Sequence, residues 1–401
     1  MAMESASGTA IQRGSTHDSA SVRAVTELGR TAIGTWGGGR FMRFGETIAD
    51  DRLESLFRPG RGIDTVITAD VYGEGEADRT LGRALNGLDR ESYRVAGAVG
   101  HDFIHGERQG PKGFPRFTDP ALRSTDDYAD YLREATERSL EAVGIDFFDV
   151  LLLHNPDRTG YESPAVWEGM AALRDDGLAR AVGVAPGPAN GFTLDLIACL
   201  ERFGDVIDWA MVILNPLEPW PGELVLDAAT AANVSVITRV VDYGGLFWGD
   251  LAPDTPLHEH DHRRFRPDGW IERGLERIEG MRPFASEAGL TDIQFACAWN
   301  LAHPAVACVA PTLIQEAGDA ARPIEEKRLE LAELPLQGRL GPEKVAGIRE
   351  LGDNTGSMKL KGASAEHEGE DAPDRWALSP ELIEAGERHG IAPERDLAYA
   401  G

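Results

Sequence analysis

Short apolar runs and longer amphipathic stretches alternate along most of this chain. The β-branched run at 63–68 reads as a buried strand, and a 3.6-residue apolar period over 76–85, through Leu81 and Leu85, reads as the helix after it. The same alternation continues downstream. Apolar runs at 93–99, 149–154, 179–184, 207–213, 234–240 and 305–311 predict strands. The segments between them, at 124–143, 163–177, 192–203, 221–232, 270–287 and 291–302, predict helices. An earlier strand is expected from Leu28, running into the glycine-rich loop 37–39, with a helix at 50–57. A last long helix is expected over 314–334. Some eight strand–helix repeats imply parallel strands with crossover helices, most economically a closed (β/α)8 barrel of the TIM type.

Around this barrel, at 25–334, the pattern weakens. Residues 1–24 are small and polar and read as a disordered extension; 335–401 hold two short amphipathic patches near 342–351 and 379–388. That last stretch reads as an appended segment, packing on the barrel or wrapping over its mouth. The 23 residues at 101–123 form a loop too long to be a plain connection, which marks a lid or a disordered segment.

Composition narrows the partners. The chain of 401 residues carries 40 basic and 67 acidic side chains, a net charge of −27. Nucleic acid and an anionic membrane both need a basic face, so neither is expected as the main partner. A small-molecule substrate is expected instead, with the oligomeric state left open. Cys199, Cys297 and Cys308 are odd in number and widely spaced, which suits a reducing cytoplasm and no disulfide framework. No apolar run is long enough to span a bilayer. His258, His260 and His262 alternate, but Arg263, Arg264 and Arg266 follow at once and would repel a cation, so no metal is expected.

Ligands of parallel α/β folds bind outside the carboxyl ends of the strands. Tyr72 and His154 stand at two such ends, and Trp36 follows the first strand. With these residues in place the chain resembles the aldo-keto reductases. Ile33-Gly34-Thr35-Trp36 resembles the family's first strand and loop. Thr68-Ala69-Asp70-Val71-Tyr72-Gly73 resembles its tyrosine motif, and the run from Leu152 to Asp157, through His154 and Asn155, its histidine strand. Gly177, Arg180 and Gly183-Val184 follow the family pattern, as do Leu246 and Gly249.

The resemblance implies NADPH bound across the barrel mouth and a tetrad of Asp, Tyr, Lys and His. Tyr gives a proton to a carbonyl oxygen, and His orients the substrate. It places Tyr72 and His154 in the catalytic set, and Trp36, Lys112, Asn155 and Arg239 beside the substrate. It places Gly34, Thr35, Asn215, Gly245, Leu246 and Thr312 beside NADP. The tetrad's Asp and Lys positions, however, hold Ile67 and Ala98. The two replacements agree with each other, because an Asp without its Lys would be a buried unpaired carboxylate. Without a cation Tyr72 is a poor base at neutral pH. Arg239, Lys112, Arg108, His101 and His105 are candidates to replace it. Beyond the last strand, Pro311-Thr312-Leu313-Ile314-Gln315-Glu316 keeps the family's proline, while Ala185-Pro186-Gly187 and Met211 replace its polar cofactor contacts.

Two readings follow. One is NADP(H)-dependent redox chemistry on a small polar, sugar-like carbonyl or alcohol. The other is a lyase, dehydratase or isomerase using Tyr72 and His154 as acid and base without nicotinamide. A non-catalytic cofactor-binding subunit is a third, opposed by the presence of both Tyr72 and His154.

Overall fold

The structure, a computed structural model, describes residues 26–109, 113–187, 191–335, 340–356 and 378–397. Lys112 lies outside these residues, as do 1–24 and, beyond residue 356, the Gly-, Ser-, Asp- and Glu-rich stretch expected near 352–375.

Eight parallel strands pair in sequence order: β1 (Ala32–Gly34), β2 (Thr65–Ile67), β3 (Arg94–Val99), β4 (Phe148–His154), β5 (Ala179–Ala185), β6 (Trp209–Ile213), β7 (Ser235–Arg239) and β8 (Val306–Ala310). A parallel bridge between Thr31 and Val309 joins the two ends, so the sheet closes into a (β/α)8 barrel.

Strand alternation divides the core in two. In β2, Val66 faces outward to the helices while Ile67 faces the barrel interior; in β4, Leu151 and Leu153 face out while Val150 and Leu152 face in. The interior is narrow and carries many alanines, among them Ala69, Ala96, Ala98, Ala181 and Ala310, with Trp36, Trp209 and Met211 filling what remains. The outer layer holds the larger cluster, under helices such as α1 (Asp50–Phe57), α2 (Glu76–Leu85) and α3 (Tyr128–Val143). Local signals explain these ends: Ser124 and Asp127 form a capping box before α3, and Gly144 ends it in the left-handed region at φ 77°.

Two elements differ from the pattern. A short helix, α4 (Arg158–Glu162), precedes α5 (Pro164–Asp175); the Asp157 side chain caps it by accepting from the Gly160 N–H at 2.8 Å. Beyond it lie α6 (Thr193–Phe203), α7 (Leu226–Ala231), α8 (Trp270–Ala288) and α9 (Asp292–Leu301). The expected helix over 314–334 is confined to α10 (Ile324–Ala332). Residues 314–322 instead run irregularly beneath it. Lys327 Nζ donates to the Ile314 carbonyl at 2.7 Å, the Gln315 amide reaches Arg322 O, and Pro323 stands at the helix start. Tertiary hydrogen bonding outweighs local helix propensity here.

The C-terminal segment packs on the barrel's outer helices. α11 (Pro342–Leu351) lies against α8, with Trp299 Nε1 donating to Val345 O at 3.1 Å. α12 (Pro380–Arg388) lies on α6, where Arg388 pairs with Glu201 at 2.5 Å. A last turn, α13 (Pro393–Asp396), accepts the Trp220 indole N–H at Asp396 O.

Candidate active site

A cavity of about 350 Å³ opens at the carboxyl ends of the strands. β2 ends in Ile67, and the chain then turns so that the Tyr72 N–H donates to Ala69 O at 3.0 Å. Gly73 takes φ 60° directly after, where a Cβ would press on Phe41. The turn aims Tyr72 into the cavity. β4 ends in His154, and Asn155 follows at φ 47°, a left-handed value that asparagine tolerates. Tyr72 and His154 meet edge to face with ring centroids 5.7 Å apart. Ile67 and Ala98 line the same cavity, from neighbouring strands.

The electrostatics come from arginine. Arg239, at the end of β7, lines the cavity and donates from Nη2 to Pro186 O at 2.9 Å. Arg116 stands behind the wall: Nε bonds the Asn155 carbonyl, and Nη1 lies 3.1 Å from His101 Nδ1. Burial depresses the His154 imidazolium to a pKa of about 3, helped by Arg116 and Arg239, so the ring is neutral at pH 7. His101, 5.1 Å from His154, is held well below its ordinary value by burial and then Arg116. Neither histidine is a cation for Tyr72. Burial raises the Tyr72 hydroxyl, and Arg239 works in the opposite direction.

Of the other candidate cations, Arg108 lines the cavity from its exposed rim, while His105 is an exposed residue paired with Glu134 at 3.1 Å. Trp36 and Asn155 line the cavity beside Arg239, and so does Thr312. The remaining residues expected at the cofactor do not line this cavity. The Thr35 hydroxyl reaches Thr68 Oγ1 at 3.2 Å, in a buried network with Asp78. The Asn215 amide ties Glu218 to Val240 O. Gly34 packs under the Trp36 ring, and Leu246 is buried against α8. Gly245 lies against Glu316 and Arg263.

That last contact bears on a bound dinucleotide. Its phosphates call for cations or open backbone N–H groups. Arg263 is 1% exposed and clasped between Asp261 at 2.8 Å and Glu316 at 2.6 Å; Arg266 pairs with Glu218 at 3.1 Å beneath Tyr243 and Trp270. Lys327 pairs with Asp250 at 2.7 Å. Arg322 pairs with Glu330 at 2.7 Å. The cavity's Trp36, Tyr72, Asn155, Met211 and Thr312 suit a flat nicotinamide ring, whereas the cations around the β7 and β8 loops already hold the chain's own carboxylates. The residues fit the redox end of such a cofactor and, in this arrangement, not its phosphate end.

His258 and His260 lie with ring centroids 5.6 Å apart, while His262 turns away onto Phe44 at 5.3 Å. Among the described residues no group of three or more His, Cys, Asp or Glu side chains is gathered for a metal. Trp248 is buried, donating from its indole to Thr312 O at 2.8 Å. No described helix is long and apolar enough to cross a membrane.

Sequence reasoning passed over Arg116 and gave Arg263 and Asp70 no role of their own at the site. Asp70, two residues before Tyr72, is 3% exposed with neither carboxyl oxygen hydrogen-bonded among the described residues, and burial raises its pKa well above the usual carboxylate range. An acid inside a β-branched motif beside Tyr72 was the available signal. For the two arginines there was none, since their partners are far away in sequence.

A (β/α)8 barrel with a tyrosine and a histidine sharing a cavity at its carboxyl face defines a class of small-molecule enzymes. The sequence model of the aldo/keto reductase family matches residues 31–317, and the chain belongs to that family. A probable voltage-gated potassium channel subunit beta from Oryza sativa subsp. japonica is 23% identical over 297 residues, 72% of this chain and 84% of that protein. Among solved structures, the glycerol dehydrogenase of Gluconobacter oxydans superposes with a TM-score of 0.60 at 22% identity, covering 88% of this chain and 94% of its own. An aldo/keto reductase from Klebsiella pneumoniae, solved with NADP and acetate, gives 0.54 at 20% identity, covering 83% and 95%.

Proposed function

We propose that this protein is an oxidoreductase interconverting a small polar, sugar-like carbonyl and its alcohol with NADP(H). The observation that carries the reading is the edge-to-face placement of Tyr72 and His154, 5.7 Å apart, in one cavity with Arg239. Family membership supplies the reaction class. NADP(H) follows the family's habit, as in the Klebsiella pneumoniae aldo/keto reductase solved with NADP.

In this reading the Tyr72 hydroxyl gives its proton to the carbonyl oxygen as that oxygen becomes an alkoxide. Neutral His154 holds the same oxygen by a hydrogen bond and fixes its position. Arg239 stands in for the cation that Ala98 cannot supply, by stabilising the tyrosinate that proton transfer leaves. Asn155, Trp36, Met211 and Thr312 would hold the nicotinamide, which when bound supplies the hydride. Arg108, Gly113 and Phe114 line the cavity beside His101. Proton transfer of this kind contributes about 10²–10⁴-fold. With its cation on a different strand, turnover is expected to be slow for the class.

Calorimetric titration with NADPH and NADH tests the reading. Binding with a lead for NADPH is expected. No heat at millimolar cofactor would remove the redox reading and leave the cofactor-free acid–base alternative.

A further inference from the structure

His101 stands just past the end of β3, lines the cavity and has both ring nitrogens engaged. Nδ1 lies 3.1 Å from Arg116 Nη1, and Nε2 lies 3.1 Å from the Asn155 carboxamide. Its backbone is pinned as well. The Tyr131 hydroxyl donates to His101 O at 3.0 Å, and an antiparallel bridge pairs His101 with Arg116. A guanidinium offers donors and no acceptor, so Nδ1 is the acceptor in this contact. A proton on Nδ1 would set two N–H groups against each other at 3.1 Å. The Phe114 carbonyl, 3.3 Å from Nδ1, takes a hydrogen bond from the same Nη1 at 3.4 Å. The neutral ring therefore carries its proton on Nε2. That N–H needs an acceptor, so the carboxamide oxygen of Asn155 faces His101 and the amide nitrogen takes the other edge.

The other edge lies at 185–187. The Asn155 N–H donates to Ala185 O at 2.7 Å, and Ala185 and Pro186 line the cavity beside Asn155. A Cβ on Gly187 would come within 1.7 Å of the Asn155 carboxamide. These are the positions at which the chain departs from the family's polar cofactor contacts, as it does at Met211.

We propose that Asn155 supplies, from the end of β4, the hydrogen-bond donor for the nicotinamide carboxamide oxygen that β5 and β6 lack, and that Arg116 and His101 are the positioning residues that hold it in that sense. The inference rests on the redox reading of this same cavity.

Tyr72 and His154 already serve the reacting oxygen, so a donor next to His154 addresses a second acceptor. A free primary amide turns either face to a ligand. Here the reversed amide would set its N–H groups against the His101 N–H, so only the donor is presented. Arg116 fixes the residue twice, through Nε on the Asn155 carbonyl and through His101 on the side chain. Such prior ordering lowers the cost of binding.

The test titrates each protein with NADPH and with phospho-ADP-ribose, the same cofactor without its nicotinamide. The ratio of the two affinities is internal to one sample, so partial misfolding does not change it. The wild type should bind NADPH more tightly than the fragment. Asn155→Leu should cut that ratio by about threefold to tenfold, the range of one neutral hydrogen bond, with the fragment's own affinity unchanged. Asn155→Asp accepts from His101 as Asn155 does but has no N–H to offer, and should cut the ratio as Leu does. His101→Phe keeps a ring without its nitrogens and should lower the ratio; His101→Gln, with an acceptor and a donor, should restore part of it. Gly187→Ala, which displaces the carboxamide, should resemble Asn155→Leu. A ratio untouched by Asn155→Leu would overturn the contact while NADPH binding keeps the redox reading. A ratio kept by Asn155→Asp would overturn the donor sense, and one kept by His101→Phe the positioning role. Failure of both NADPH and the fragment to bind would remove the redox reading and this inference with it.

Discussion

The rings of Tyr72 and His154 meet edge to face at 5.7 Å, although 82 positions of sequence separate them. The barrel brings them together because His154 ends β4 and Tyr72 follows the end of β2 by a short turn, with only β3 between. Removing the tyrosine hydroxyl should therefore strike the chemistry and little else. Tyr72→Phe is expected to lose about 10²–10⁴-fold in kcat. Its melting temperature should stay within a few degrees of wild type, because the hydroxyl faces a cavity and not the core.

Ile67 and Ala98 make a second test. Ile67→Asp alone places a carboxylate in an apolar interior and should destabilise by about 3–5 kcal/mol. Ala98→Lys alone buries an ammonium at comparable cost. The double variant should recover a good part of the summed loss, and denaturant unfolding of all four proteins gives the coupling energy. Losses that simply add would show that the two side chains do not meet.

Acid sensitivity follows from His154. Its pKa is about 3 in the folded protein against an ordinary 6.5, so between those values the unfolded chain binds a proton that the folded one refuses. Stability contributed this way is present above pH 6.5 and lost as the pH falls toward 3. His154→Asn should remove that slope. Melts of both proteins between about pH 4 and 6.5 should show the wild type losing about 3 kcal/mol relative to the variant on acidification.

The clasp on Arg263 is a structural commitment. Glu316→Ala removes one of two carboxylates from a guanidinium that is 1% exposed, and about 3–5 kcal/mol of destabilisation is expected. Amide exchange in the segment around 250–268 should rise in step, since Arg263 ties that segment to the end of β8 through Glu316 and to Gly244 O at 3.2 Å. Unchanged exchange there would show that other contacts hold the segment.

The barrel was legible because its signals are local. β-branched runs, capping residues such as Ser124 and turn residues such as Gly73 act within a few positions. Tyr72, His154 and Trp36 could be set near the carboxyl ends of strands from the pattern of apolar runs, and Asn155 came with the family resemblance. What lay hidden depends on distant partners. Arg116 matters through Asn155, 39 residues away, and Arg263 through Glu316, 53 away. Periodicity carries no trace of either. The family resemblance put Thr35 and Asn215 at a cofactor; their side chains take part in buried networks with Thr68 and with Glu218, whose partners local sequence does not show. The helix expected from residue 314 yields to Lys327 and Gln315, whose hydrogen bonds hold that stretch irregular.

NADPH oxidation, followed with a panel of small polar carbonyls, tests the central claim most directly when wild type and Tyr72→Phe are matched for cofactor affinity. Turnover by the wild type, and about 10²–10⁴-fold less by the variant at the same NADPH dissociation constant, is the predicted result. Equal turnover by the two proteins would contradict the assignment of Tyr72 as the proton donor. Failure of the wild type to bind NADPH at all would contradict the redox account.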